Sequence, residues 1–110
     1  MINQLRTYQI FPQTRDAFHA RFRDHATRIM RRHGFRIQAM WETGEADDLA
    51  FVYLLAWQDK AEMNAAWAAF MADEEWAEIK RNTTETPIVG NIDDKLLRPT
   101  DYSEAIAKMS

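Results

Sequence analysis

Arg6 and Tyr8 stand two residues apart in LRTYQI, residues 5–10, a stretch that alternates like a β-strand. Period two puts both side chains on one face of that strand. Arginine offers a permanently charged, planar fork of donors suited to a carboxylate or an enolate, and tyrosine adds a phenol that donates or accepts. With Thr7 and Gln9 they make the segment unusually polar for a central strand, and a local rule broken in this way marks a candidate site. The plainer account is that these groups simply bond to one another across a dimer. Tyr53 on a later strand and Trp41 on the strand before it complete the candidate ligand-binding set of Arg6, Tyr8, Trp41 and Tyr53. A buried arginine without a partner is costly, so Arg6 must meet an acidic residue, water or an anionic ligand. The expected ligand is a small, partly apolar, acidic molecule.

No catalytic residue is assigned, because no nucleophile stands with a base at a workable spacing. His19 and His25 lie on the first predicted helix and His33 at its end. Six residues apart, the first two are out of phase for shared ligation, and all three read as semi-exposed helix residues. Neither a metal site nor a cofactor is expected. The absence of cysteine removes disulfides, thiol nucleophiles and thiolate metal sites. Trp41, Trp57, Trp67 and Trp76 are candidates for an aromatic pocket, but three of them fall on stripes expected to be core. Asp47-Asp48 and Asp93-Asp94 sit at turns or strand edges, and adjacent residues on a strand point opposite ways, so solvation is their expected role.

Charge is unevenly spread. Residues 14–36 hold seven arginines against Asp16 and Asp24, whereas residues 37–110 hold six basic residues against fifteen acidic ones. A basic helix suits nucleic acid or an anionic membrane. Without an aromatic–basic groove motif beside it, the better reading is a solvated face paired with the acidic second half, and neither nucleic acid nor membrane is an expected partner. No apolar run approaches the roughly 20 residues of a membrane span. The first residues already alternate like a strand rather than showing a signal-peptide pattern, so a cytoplasmic location is expected.

The elements that must position these residues follow from periodicity. At 110 residues the chain is one domain. Residues 2–11 form a first strand ended by Pro12, and Thr14 can cap a helix carrying Phe18, Phe22, Ala26, Ile29 and Met30 on one stripe. After Gly34, Phe35, Ile37, Ala39 and Trp41 alternate on one face of a second strand. Residues 49–57, LAFVYLLAW, carry no charge and predict a strand with apolar neighbours on both faces. Asp59 can cap a helix over 59–71, with Glu62 completing a capping box. Asp73 can start a short helix bearing Trp76 and Ile79. Residues 82–87 read as a polar loop, and Pro87 releases a last strand, broken by Gly90 and ended by Pro99.

The order β-α-β-β-α-β is the ferredoxin-like pattern: α+β, with a four-stranded antiparallel sheet and two main helices on one face. The other face would leave one row of strand 49–57 in water, which marks an interface. A homodimer through the helix-free sheet face is expected.

LRTYQI at 5–10, YLLAW at 53–57, EEWAEIK at 74–80 and LLRPTDY at 96–102 together resemble the NIPSNAP family, over residues 1–102, with 103–110 as a tail. That resemblance implies a dimeric α+β barrel. The wider barrel group includes cofactor-free monooxygenases, isomerases, decarboxylases and haem enzymes, and the family brings no settled catalytic set. The expected function is therefore a small-ligand-binding or interaction dimer. The alternative is a cofactor-free monooxygenase- or isomerase-like enzyme acting on a small acidic or aromatic molecule.

Overall fold

A computed structural model describes residues 1–82 and 88–103. Four strands, β1 (Ile2–Ile10), β2 (Arg36–Thr43), β3 (Ala50–Trp57) and β4 (Val89–Leu97), form one sheet in the order β2-β3-β1-β4. All three pairings are antiparallel. Four helical segments, α1 (Arg15–Arg21), α2 (Thr27–Arg32), α3 (Lys60–Met71) and α4 (Glu74–Asn82), supply the second layer. This is the ferredoxin-like α+β arrangement expected from the order of elements, with β1 and β3 central. The expected loop over 82–87 and the release by Pro87 fall largely outside the described residues, as does most of the tail.

Register sorts the sheet into two faces. On the helix-covered face the cross-strand rows are Glu42–Phe51–Tyr8–Ile92, Met40–Tyr53–Arg6–Asp94 and Ile37–Leu55–Gln4–Leu96. Tyr53, Leu55 and Trp57 of β3 are wholly buried there against Phe18, Ile29 and Met30. The polar row of Arg6 and Tyr8 thus faces the helices.

Strand β2 departs from its predicted alternation. Ile37 pairs with Leu55, yet Ala39 pairs with Leu54, so a bulge at Gln38 inserts one extra residue. A one-residue insertion moves every later side chain to the other face. Ile37 therefore faces the helices, whereas Ala39 and Trp41 face away. The exposed row of β3 is also smaller than expected: Leu54 is 8% exposed and Ala56 1% within the single chain. Asn3 Nδ2 reaches from β1 to Gln38 Oε1 on β2, 3.2 Å away, and to Leu55 O, passing over the small Ala56 between them.

The predicted first helix is three pieces. Between α1 and α2, Phe22–Ala26 forms a π-helical turn. The Thr27 N–H donates to Phe22 O instead of Arg23 O, and the Thr27 hydroxyl takes the Arg23 carbonyl at 3.0 Å. A threonine that bonds back to the preceding turn supplies what the wider turn gives up. Thr14 holds the N-cap position without a side-chain cap bond.

Asp59 Oδ1 accepts the Glu62 N–H at 2.8 Å and caps α3 as its position predicts, while the Glu62 carboxylate reaches back to Gln58 N–H rather than Asp59. Gly90 marks a close approach: a Cβ there would lie 2.5 Å from Gln9 Oε1, beside the irregular pairing between Tyr8 and Ile10. The basic stretch is largely consumed by ion pairs with the acidic half, Arg15 with Glu42, Arg28 and Arg32 with Glu75, and Arg36 with Glu62.

Asp73 ties the start of α4 to the end of α2. It accepts the Trp76 N–H at 3.1 Å, His33 Nε2 at 2.7 Å and Arg32 Nη2 at 2.8 Å. Those bonds, His33 first, then Arg32 and the Trp76 N–H, hold its carboxyl well below the ordinary aspartate range. A depressed carboxyl contributes stability above its unfolded pKa of about 4 and loses it as pH falls through the folded value. Asp73→Asn should accordingly lower the thermal midpoint by a few degrees at pH 7, and the gap should narrow between pH 4 and pH 2. A difference independent of pH in calorimetry would contradict this.

Candidate functional site

Arg6, Tyr8 and Tyr53 come together as their positions predict. Arg6 pairs with Tyr53 across β1 and β3, the two phenol oxygens lie 2.7 Å apart, and Arg6 Nη2 donates to Tyr8 Oη at 3.1 Å. Burial, and then Tyr8, push the Tyr53 phenol well above its ordinary pKa. Burial works against the Arg6 charge, but the phenol oxygens of Tyr8 and Tyr53 more than offset it, so the guanidinium stays charged. Its Nη1 meets Asp94 Oδ2 at 3.3 Å, a carboxylate 48% exposed. So exposed and long a contact is weak. Arg6 Nε is buried with no acceptor among the described residues.

Beside this group lies a cavity of about 220 Å³ between the sheet and the helices. Arg6 and Tyr8 line it, together with Arg21, Trp67, Trp76 and Lys80. The Arg6 guanidinium lies 4.5 Å over the Trp67 ring, and Arg21 and Lys80 lie 5.6 and 5.9 Å from the Trp76 ring. Aromatic faces attract cations in this way. Burial lowers the Arg21 pKa and Tyr8 partly restores it. Three cations and no carboxylate line the cavity among the described residues.

Gln4 braces the floor. Its Oε1 accepts the indole N–H groups of Trp57 and Trp67 at 3.0 and 2.8 Å, and its Nε2 donates to Asp94 Oδ1 at 3.0 Å. The Gln4 amide is thus used in both directions, as acceptor and as donor, which holds Trp67 against Arg6.

Two sequence expectations need correction. Trp41 does not wall this cavity: it is half exposed on the opposite sheet face, moved there by the bulge at Gln38. Asp94 is not a merely solvated turn residue, since it bonds both Gln4 and Arg6. Tyr53 lies behind Tyr8 and is absent from the cavity lining. Arg21, Lys80, Trp67 and Trp76 were outside the predicted set. A signal for Arg21 does exist: it sits between Phe18 and Phe22 at the border of the apolar stripe.

The histidines hold structural partners. His19 Nε2 meets Glu42 Oε2 at 2.8 Å, a carboxylate also gripped by Arg15, and His25 Nδ1 lies 3.3 Å from Arg28. Among the described residues no three His, Asp or Glu side chains cluster so as to hold a metal ion. A larger open cleft of about 470 Å³ is bordered by Asp47, Asp48 and Asp93, a charge pattern that would repel an anion.

Residues 3–104 match the NIPSNAP family. The chain belongs to that family. Its fold is shared by a NIPSNAP-like domain protein from Burkholderia xenovorans, with 23% identity, 94% of this chain and 88% of that chain covered, and a TM-score of 0.80. A NIPSNAP family protein from Agrobacterium tumefaciens gives 13% identity, 94% and 97% coverage and a TM-score of 0.82. A Streptomyces coelicolor monooxygenase in complex with nanaomycin D is more distant, with 17% identity, 90% and 87% coverage and a TM-score of 0.59. No match is found among curated proteins. The NIPSNAP assignment agrees with the architecture and carries no catalytic residues with it, so chemistry must be argued from the cavity.

Proposed function

We propose that this NIPSNAP protein is a homodimer that binds a small, partly apolar carboxylic acid in the cavity beside Arg6. The observation that carries the reading is Arg6 itself, a guanidinium lining a cavity of cations and indoles while its buried Nε has no acceptor among the described residues. A buried donor on a charged group gains most from a charged acceptor. The volume, below the usual range for drug-sized ligands, suits a one-ring or short-chain acid. Trp41 and Leu97, half and 38% exposed, support dimerisation through the helix-free face. The cysteine-free composition suits a cytoplasmic protein, with neither nucleic acid nor membrane as partner.

Benzoate is a direct probe, because Trp67 and Trp76 line the cavity and report through their fluorescence. Arg6→Met, which keeps an apolar stem over Trp67, should weaken benzoate binding by more than tenfold and leave the fold and dimer intact. Equal affinity in the variant would refute the site. A second reading, a cofactor-free monooxygenase- or isomerase-like enzyme, is favoured by a phenol and a guanidinium sharing one apolar cavity. Oxygen consumption on adding 2,5-dihydroxybenzoate would separate oxygenation from simple binding.

A further inference from the structure

We propose that Tyr8 points its hydroxyl hydrogen into the cavity as a donor to the ligand's oxygen, and that Tyr53 is the positioning residue that makes it do so. This rests on the acid-binding reading above and adds which protein atom, besides Arg6, meets the acid. Hydrogen counting decides the direction. Tyr53 is wholly buried, and its oxygen lies 2.7 Å from Tyr8 Oη. Each phenol has one hydrogen to give. If Tyr8 donated to Tyr53, the Tyr53 hydrogen would be left without an acceptor amid Phe22 and Phe51, whose rings lie 5.2 and 5.7 Å from its own. An unsatisfied buried hydroxyl is the costlier arrangement. Tyr53 therefore donates and Tyr8 accepts.

Tyr8 Oη also accepts from Arg6 Nη2. With two donors on its oxygen, its own hydrogen is free for the cavity that Tyr8 lines. Bonds that converge on one oxygen polarise the O–H they leave over, so the remaining donor is strengthened. The ring is held by edge contacts with Phe18, Phe22 and Tyr53 at 6.2, 6.5 and 5.4 Å, which limits where that hydrogen can turn. Arg6 and Tyr8 then present donors only. The site selects an oxygen that accepts, as a carboxylate does, and discriminates against the amide of the same shape, whose NH₂ would face a donor.

Tyrosine-labelled NMR on the full chain tests the direction before any ligand is added. The Tyr53 hydroxyl proton should be slow to exchange and the Tyr8 one fast; the reverse overturns the proposal. Titration then uses benzoate and benzamide, read by tryptophan fluorescence. Benzoate should bind more tightly than benzamide, and Tyr8→Phe should cost benzoate roughly tenfold while changing benzamide little. Tyr53→Phe should cost benzoate a few-fold and speed exchange at position 8 no further. Wild-type affinity for benzoate in Tyr8→Phe, with binding still lost in Arg6→Met, refutes the role of Tyr8 and leaves the acid site standing. Failure of wild-type protein to bind benzoate refutes the acid site, and this proposal with it.

Discussion

Trp57→Ala should remove about 3–5 kcal/mol of folding stability, a large part of the 5–15 kcal/mol typical of a small domain. Trp57 ends β3, is wholly buried, and packs edge-on against Phe35 with ring centroids 5.0 Å apart. Its removal opens a cavity under α3 that the flanking strands β1 and β2 keep from collapsing. The cost comes from lost burial and the void, not from an orphaned acceptor, because Gln4 Oε1 keeps the Trp67 indole as a donor. Trp57→Phe should therefore be milder, at about 1–2 kcal/mol, since it fills most of the space and gives up one hydrogen bond. Denaturant unfolding at one fixed protein concentration measures both, because association would otherwise shift the midpoint. A loss below about 1 kcal/mol for Trp57→Ala would show that the sheet–helix layer is not the main core.

Trp41→Glu should convert the proposed dimer to monomer, raising its dissociation constant at least thirtyfold, or about 2 kcal/mol, the scale of an interface hot spot. Trp41 lies in the row Trp41–Val52–Thr7–Asp93 of the helix-free face, and Leu97 lies beside Asn3 in another row of that face. A glutamate in place of the indole removes a large apolar contact and puts a charge into the dimer contact. Since Trp41 is already 50% exposed on an edge strand, the single chain should keep its fold. Met40→Glu is the control: the neighbouring residue on β2 points to the helix-covered face and is similarly exposed, so the dimer should survive. Light scattering at micromolar concentration distinguishes these outcomes. A monomeric wild-type protein, or equal loss in both variants, would sink the helix-free interface.

Much of this was legible in the chain itself because it is local. The change of period from two at Leu49–Trp57 to 3.6 beyond Asp59 marks β3 and α3, and Asp59 and Asp73 cap where their spacing predicts. Arg6 and Tyr8 share a face by strand geometry alone, and the order of elements is enough to make β1 and β3 neighbours. Tertiary structure decided what depends on register and on side chains meeting over long separations. A single extra residue at Gln38 reversed the face of Trp41, and no composition signal announces a bulge. The π turn was hidden because Phe18, Phe22 and Ala26 keep a helical spacing through it. Arg21 on α1, Trp67 on α3 and Lys80 on α4 reach the same cavity only because separate helices of the one helical layer pack over the polar row of β1. The direction of the Tyr53–Tyr8 bond needed burial as well as distance: in water either phenol can donate, and only the apolar surroundings of Tyr53 make one choice cheaper.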